Sequence, residues 1–181
     1  MENILLDFKP VIDNKDLVSS SVLEAILDLN NKEDILVAEI DQNYAGGLEL
    51  CERYKVDPKY GANCLIVEAK RSDAKTYAAL LVPVGYKYNM STVVRKQLNA
   101  RMVSVAPLNF VLENTKMEYG SITPIGIPTD WLIFIDPLVL KQDKIIIGSG
   151  LKKSKLMIPS FILLKLPNAI ILEGLAKEGN E

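Results

Sequence analysis

Residues 120–128 read GSITPIGIP, with Gly120 and Gly126 set among Pro124 and Pro128. Glycine reaches backbone angles closed to other residues, and proline fixes φ and removes an N–H donor. A loop framed this way can hold bare N–H and C=O groups toward a ligand in fixed directions. The same composition also serves as a plain turn between a helix and a strand. A second pair, Gly148 and Gly150, flanks Ser149 at the end of the apolar run IIIGSG. There a backbone can come close to a carbonyl, a phosphate or a ribose, or simply make a tight turn. The third glycine and the following amphipathic helix of a dinucleotide fingerprint are missing. Cations gather at Lys70, Arg71 and Lys75, and again at Lys152, Lys153 and Lys155. Each group could contact phosphates or sit in solvent at a hairpin tip. Asn63 at the head of a strand, Asp136 closing WLIFID and the single tryptophan, Trp131, complete the candidates. A strand-closing Asp is usually a turn former and a lone Trp is usually core.

What is missing narrows the chemistry. The chain has no histidine, so Ser149 has no imidazole base and Ser-His-Asp or Cys-His catalysis is unavailable. Two cysteines, Cys51 and Cys64, cannot fill a tetrahedral zinc shell and match no disulfide framework. Neither a metal nor a cofactor is expected, and a reduced, cytoplasmic setting fits. Apolar residues make up 49% and charged residues 24%, which is globular composition. The formal charge of -2 argues against a broad nucleic-acid-coating surface but leaves room for an RNA gripped at one end. The N-terminus lacks a basic stretch followed by an apolar core, and no apolar run reaches membrane-spanning length.

The elements that must position these groups follow from periodicity and punctuation. Residues 1–18 mix short apolar patches with charge and read as an extension. Ser19 to Ser21 form an N-cap for a helix with Val22, Leu23, Ile26 and Leu27 on its apolar face. Residues 35–40 read as a strand, and 47–56 as a helix stopped before Pro58. Residues 63–69 and 77–84 read as an antiparallel pair joined by a charged loop. A helix over 91–100, a strand over 101–106 and a helix opening at Pro107 come next. Strands over 131–136, 144–150 and 155–158 and a final short helix over 159–166 close the chain. The result is a single α+β domain around a mixed, mostly antiparallel, barrel-like sheet surrounded by short helices. Its boundaries are 19–176, with 177–181 as a tail.

Taken in order, YKVDPKYGANCLIV, ALLVPV, RMVSVAP, YGSITPIGIP, FID and KIIIGSGLKKSKLMI resemble the YbaK family. This is the domain also found inserted in bacterial prolyl-tRNA synthetases as their editing module. The Gly-x-x-x-Pro loop is here Gly120 to Pro124, followed by Gly126; the strand ending in Asp closes at Asp136; the Gly-rich turn is Gly148 to Gly150. The resemblance implies an aminoacyl-tRNA deacylase that hydrolyses the ester of a wrongly charged amino acid without a metal or covalent nucleophile. It acts by positioning the aminoacyl-adenosine and a water against backbone groups. In that picture Gly120 and Asn63 stand at the catalytic position. Ser121, Pro124, Gly126, Gly148, Ser149 and Gly150 hold the substrate, and Lys152 and Lys153 meet the acceptor-stem phosphates. The implied partners are the aminoacyl-tRNA acceptor end, with a tRNA for proline one candidate, and a synthetase. The resemblance also implies a pocket-facing lysine at the start of the NCLIV strand, where this chain has Asn63. A second function therefore stands beside the first: a non-catalytic module of the same fold that binds an aminoacyl or nucleotide ligand, or a protein partner.

Overall fold

A computed structural model describes residues 4–179. Its centre is the hairpin of β3 (Ala62–Arg71) and β4 (Ala74–Pro83), paired from Ala62 opposite Pro83 to Arg71 opposite Ala74. On one side β6 (Met102–Val105) adds antiparallel to β3. On the other, β7 (Leu132–Ile135) adds parallel to β4, and β10 (Ala169–Ile171) parallel to β7. A second, fully antiparallel sheet runs in the order β1 (Lys9–Pro10), β2 (Leu36–Glu39), β9 (Ser154–Pro159) and β8 (Lys144–Gly148). A two-stranded sheet pairs β5 (Tyr86–Tyr88) with β11 (Ala176–Glu178). The helices are α1 (Ser20–Leu27), α2 (Gly47–Tyr54), α3 (Arg95–Gln97) and α4 (Leu108–Thr115).

The α+β class holds, but the barrel-like closure does not. The sheets are open, and among the described residues a single backbone bridge, Gly61 opposite Ile146, joins the two larger ones. Closure needs continuous pairing around the ring. Here β6 stops at Val105, and Pro107, which has no N–H to donate, turns the chain into α4. Residues expected as an extension also join the body: Lys9 pairs with Val37, and Val11, Leu17 and Val18 are buried in the main core. At the other end, residues 176–178 pair with β5, while 180 and 181 lie outside the described residues. The helix expected over 91–100 is instead a wide π-type turn, Met90–Val94, running into the short α3. Three consecutive β-branched residues, Thr92 to Val94, are poor helix formers. The last expected helix is a tight 3-10 segment, Ser160–Lys165.

Side-chain alternation explains the layering. On β4, Ala79 and Leu81 face the main core between the two sheets, while Ala78, Leu80 and Val82 face a second core with Val94, Phe134 and Leu175. On β8, Ile145 and Ile147 enter the main core and Ile146 enters a third cluster with Leu50 and Cys51 of α2. A strand covered on both faces reads as a continuous apolar run, as β4 and β8 do. Among the described residues, no helix is long and apolar enough to cross a membrane.

At the far end of the hairpin, Glu68 is nearly buried and collects three partners. Lys70 Nζ lies 2.9 Å from Oε1, Lys75 Nζ 3.0 Å from Oε2, and the Tyr77 hydroxyl donates to Oε2 at 3.0 Å. Tyr77 in turn stacks on Phe110 and Trp131, with ring centroids 4.6 and 5.2 Å away. Lys70 and Lys75 are therefore occupied within the fold. Hydrogen bonds from Lys70 and then Lys75 hold the Glu68 carboxyl at about 2, below its ordinary value of 4.5. A depressed carboxylate contributes stability that is present above its unfolded value and is lost as pH falls toward the folded one. Both lysines are about half exposed, so solvent screens the pairs and their worth is about 1 kcal/mol. Glu68→Gln is expected to lower the melting temperature at pH 7 by about 2–4 °C. It should also flatten the loss of stability between about pH 5 and 2, checked by thermal melts across that range.

Candidate functional site

Two turns single out the site, and they are pressed together. After α4 the chain reverses through Lys116 at φ 57, then takes φ 83 at both Gly120 and Gly126. Beyond β8 it takes φ 83 again at Gly150. The backbones are cross-linked: the Glu118 N–H donates to the Gly150 carbonyl at 2.8 Å, and the Gly150 N–H to the Ser121 carbonyl at 2.9 Å. The start of α1 completes the clamp, with the Ser19 N–H donating to the Ser149 carbonyl at 3.2 Å. The Ser21 hydroxyl donates to the Thr115 carbonyl at 2.5 Å.

These approaches explain why the positions are glycine. A Cβ at Gly148 would collide with the Ser121 carbonyl and lie 2.8 Å from the Ile122 oxygen. One at Gly126 would meet the Ser21 carbonyl and the Val22 nitrogen, and one at Gly150 would meet the Ser19 side chain. Gly120 differs. Its only neighbour would be Lys152 Cε at 3.5 Å, so space does not restrict it, but its positive φ does.

Beside this junction lies a cavity of about 400 Å³. Asn63, Cys64 and Ile66 of β3 form one wall, and Gly120 and Ile122 of the loop, with Gly148 and Lys155 of the second sheet, form another. Gly46 and Gly47 bring in the N-terminus of α2, which has no side-chain cap. Tyr119 stands at the rim, 63% exposed, with Lys152 Nζ 5.7 Å from its ring centroid.

Of the residues singled out in the sequence, Asn63, Cys64, Gly120, Gly148 and Lys155 line this cavity together. Lys152 is beside it, its N–H donating to Glu118 Oε2 at 2.6 Å. Lys153 follows on the same turn, its carbonyl accepting from Ile40 N–H at 2.8 Å. The others serve the scaffold around it. Ser149 is fully buried, and its hydroxyl is held among the Leu151 and Ser154 carbonyls and Ser154 Oγ at 2.9, 3.1 and 2.7 Å. Pro124 and Gly126 border a separate hollow of about 280 Å³ beside Ala25, Leu29 and Leu166. Ser121 and Gly150 make the junction described above; the buried Ser121 hydroxyl has no hydrogen-bond partner among the described residues. Asp136 is a structural tie, accepting from Leu138 N–H at 2.9 Å and from Ala176 N–H at 2.7 Å.

The electrostatics are simple. Among the described residues Lys155 is the one charged residue lining the cavity, and it is 7% exposed. Burial lowers its ammonium to about 8. Burial also pushes the Cys64 thiol and the Tyr88 hydroxyl up, so both stay neutral and offer no thiolate or phenolate. Where the resemblance implied a lysine, β3 presents the neutral Asn63; the cation of this cavity comes from β9 instead. The sequence signal was there, a lysine inside the strand run SKLMIP, but it was masked by its neighbours Lys152 and Lys153. Among the described residues no three His, Cys, Asp or Glu side chains are placed to hold a metal ion.

The family model for the aminoacyl-tRNA editing domain matches residues 45–166, a span containing every wall of this cavity. The chain belongs to that family. No curated protein matches it in sequence. Among solved structures, a proposed trans-editing enzyme for prolyl tRNA synthetase superposes with a TM-score of 0.72 at 16% identity, covering 90% of this chain and 99% of the other. A hypothetical protein gives 0.68 at 18% identity over 78% and 90% of the two chains. A scaffold protein used for computational epitope grafting gives 0.73 at 16% over 90% and 100%. At such identities these matches show that the editing-domain fold is shared.

The glycine junction makes a stability prediction independent of activity. Gly148→Ala must push the Ser121 and Ile122 backbone away and is expected to cost about 1–3 kcal/mol in urea denaturation. Gly46→Ala meets only the movable carboxylate of Glu49 and should stay within about 0.5 kcal/mol of the parent.

Proposed function

We propose that this chain is an aminoacyl-tRNA deacylase acting in trans in the cytoplasm, removing a wrongly attached amino acid from tRNA, with a tRNA for proline the first candidate. The observation that carries the reading is the meeting of Asn63, Gly120 and Gly148 around one cavity inside the editing-domain segment. Its volume of about 400 Å³ suits a small aminoacyl group and part of the terminal ribose. The trans-editing name of the structure that this chain overlays almost end to end supports action on a released tRNA and association with a synthetase.

The chemistry asks little of side chains. An aminoacyl ester is already activated, so holding it and a water in place against oriented dipoles supplies much of the acceleration. In this reading Gly120 carries the loop backbone to the ester and Asn63 hydrogen-bonds a substrate carbonyl or hydroxyl. Tyr119 offers its exposed ring to the terminal base, and Lys152 and Lys153 meet the neighbouring phosphates.

The test is single-turnover deacylation across a panel of misacylated tRNAs, against spontaneous hydrolysis. Selective acceleration of one amino acid is expected. Gly120→Val should lower that rate about 100-fold while the protein stays folded, because the side chain has room but the backbone angle does not suit it. A wild-type rate from Gly120→Val would make the loop a mere turn. No acceleration of any member by folded protein would favour the non-catalytic binding module, the reading to which the neutral Asn63 lends support. Binding to tRNA should weaken with salt with a log–log slope of about 1–2, as two contacts to a single-stranded end require. A salt-independent affinity would count against the contacts of Lys152 and Lys153.

A further inference from the structure

Lys155 is placed where a lysine has no structural reason to be. It lies near the start of β9, opposite Gly148 on β8 and Ala38 on β2, and is more than nine-tenths buried. Lysines are almost never buried unless paired, because desolvating an ammonium is costly. Among the described residues Lys155 has no ion-pair partner. Among the described residues neither a carboxylate nor a second cation lines its cavity.

The titratable groups packed around it do not neutralise it. Cys51 on α2, Cys64 on β3 and Tyr88 on β5 are all held in their neutral forms, chiefly by burial. With its own value lowered only to about 8, Lys155 keeps its proton at pH 7. A second positive feature opens beside it. Gly46 and Gly47 bring the start of α2 to the same cavity, where the helix dipole points its positive end and no side chain caps the turn, although the Glu49 carboxylate folds back against Gly46 and offsets part of that charge. A buried, unpaired cation and a helix N-terminus around one cavity fit an anion, or an oxygen that becomes one.

We propose that Lys155 is a catalytic residue of the deacylation, its ammonium stabilising the negative charge that develops on the ester carbonyl oxygen as water attacks. This rests on the deacylase reading above. Water oxygen bonds to the carbonyl carbon, the carbonyl oxygen takes up negative charge against Lys155, and the bond to the ribose oxygen then breaks. The ribose oxygen leaves with the electron pair and takes up one proton, and the second proton of the water passes to solvent as the acid product leaves as a carboxylate. Lys155 holds its proton throughout.

The experiment measures single-turnover deacylation of the amino acid that wild-type protein selects from the panel, as the ratio to spontaneous hydrolysis, between pH 6 and 9.5. Lys155→Met is measured alongside for rate, tRNA affinity and thermal stability. The expected result is a drop of about 100-fold or more for Lys155→Met, in the range found on removing one oxyanion donor, with tRNA affinity within about threefold of wild type. The same variant should melt higher than wild type at pH 7. A lysine whose folded value is depressed destabilises the fold while charged, a cost relieved only as pH rises from about 8 toward 10.5. The wild-type ratio should fall above about pH 8 as the ammonium loses its proton. Undiminished deacylation by folded Lys155→Met would overturn the proposal alone, as would a wild-type ratio that rises through pH 8. Wild-type protein that accelerates no member of the panel would overturn the deacylase reading and this role together.

Discussion

Everything around the cavity depends on three backbones meeting with no side chain between them. The loop after α4, the turn after β8 and the first turn of α1 are joined by the Glu118–Gly150, Gly150–Ser121 and Ser19–Ser149 hydrogen bonds. Gly126, Gly148 and Gly150 permit it, because a Cβ at any of them would strike a neighbouring main chain or the Ser19 side chain. Buried backbone polar groups must find partners, and here they find one another across elements far apart in sequence. The same contacts set the direction of Gly120 and Ile122 toward the cavity. Held this way, the loop forms one wall of the site.

Against that frame the polar contents of the cavity are sparse. One buried ammonium, one neutral amide, the Cys64 thiol, the Tyr88 and Tyr119 hydroxyls and the start of α2 share walls otherwise built from apolar side chains and backbone. In a low-dielectric setting few charges act strongly, and an unpaired one is costly to keep. Lys155 carries that cost in the folded state, which a core position serving packing alone would have avoided with a leucine or methionine. The hairpin cations show the contrast. Lys70 and Lys75 are matched to Glu68 at the far end of the same sheet, where charge is neutralised and supports the fold.

The sequence by itself determined the α+β class, most strands and helices, and the two glycine-framed turns. It did so because these rest on local rules: continuous apolar runs along β4 and β8, a serine at the N-cap position of α1, a proline opening α4, and glycines where φ turns positive. It also determined that histidine-based catalysis is out of reach. What it could not carry was the choice among residues of equal local appearance. Gly120, Gly126 and Gly150 share one φ, yet only Gly120 faces the cavity, and Lys152, Lys153 and Lys155 look alike in a row. Tertiary structure decided these matters. Strand pairing turned Lys155 inward while its neighbours on the turn stayed outside, and packing set Ser149 and Asp136 to tying backbones together. Whether the sheets closed was decided there too, at Val105 and Pro107, where a short edge strand gives way to a helix. A side chain's face depends on register between distant segments, and a shift of one residue reverses it. No local pattern in a single chain encodes that register.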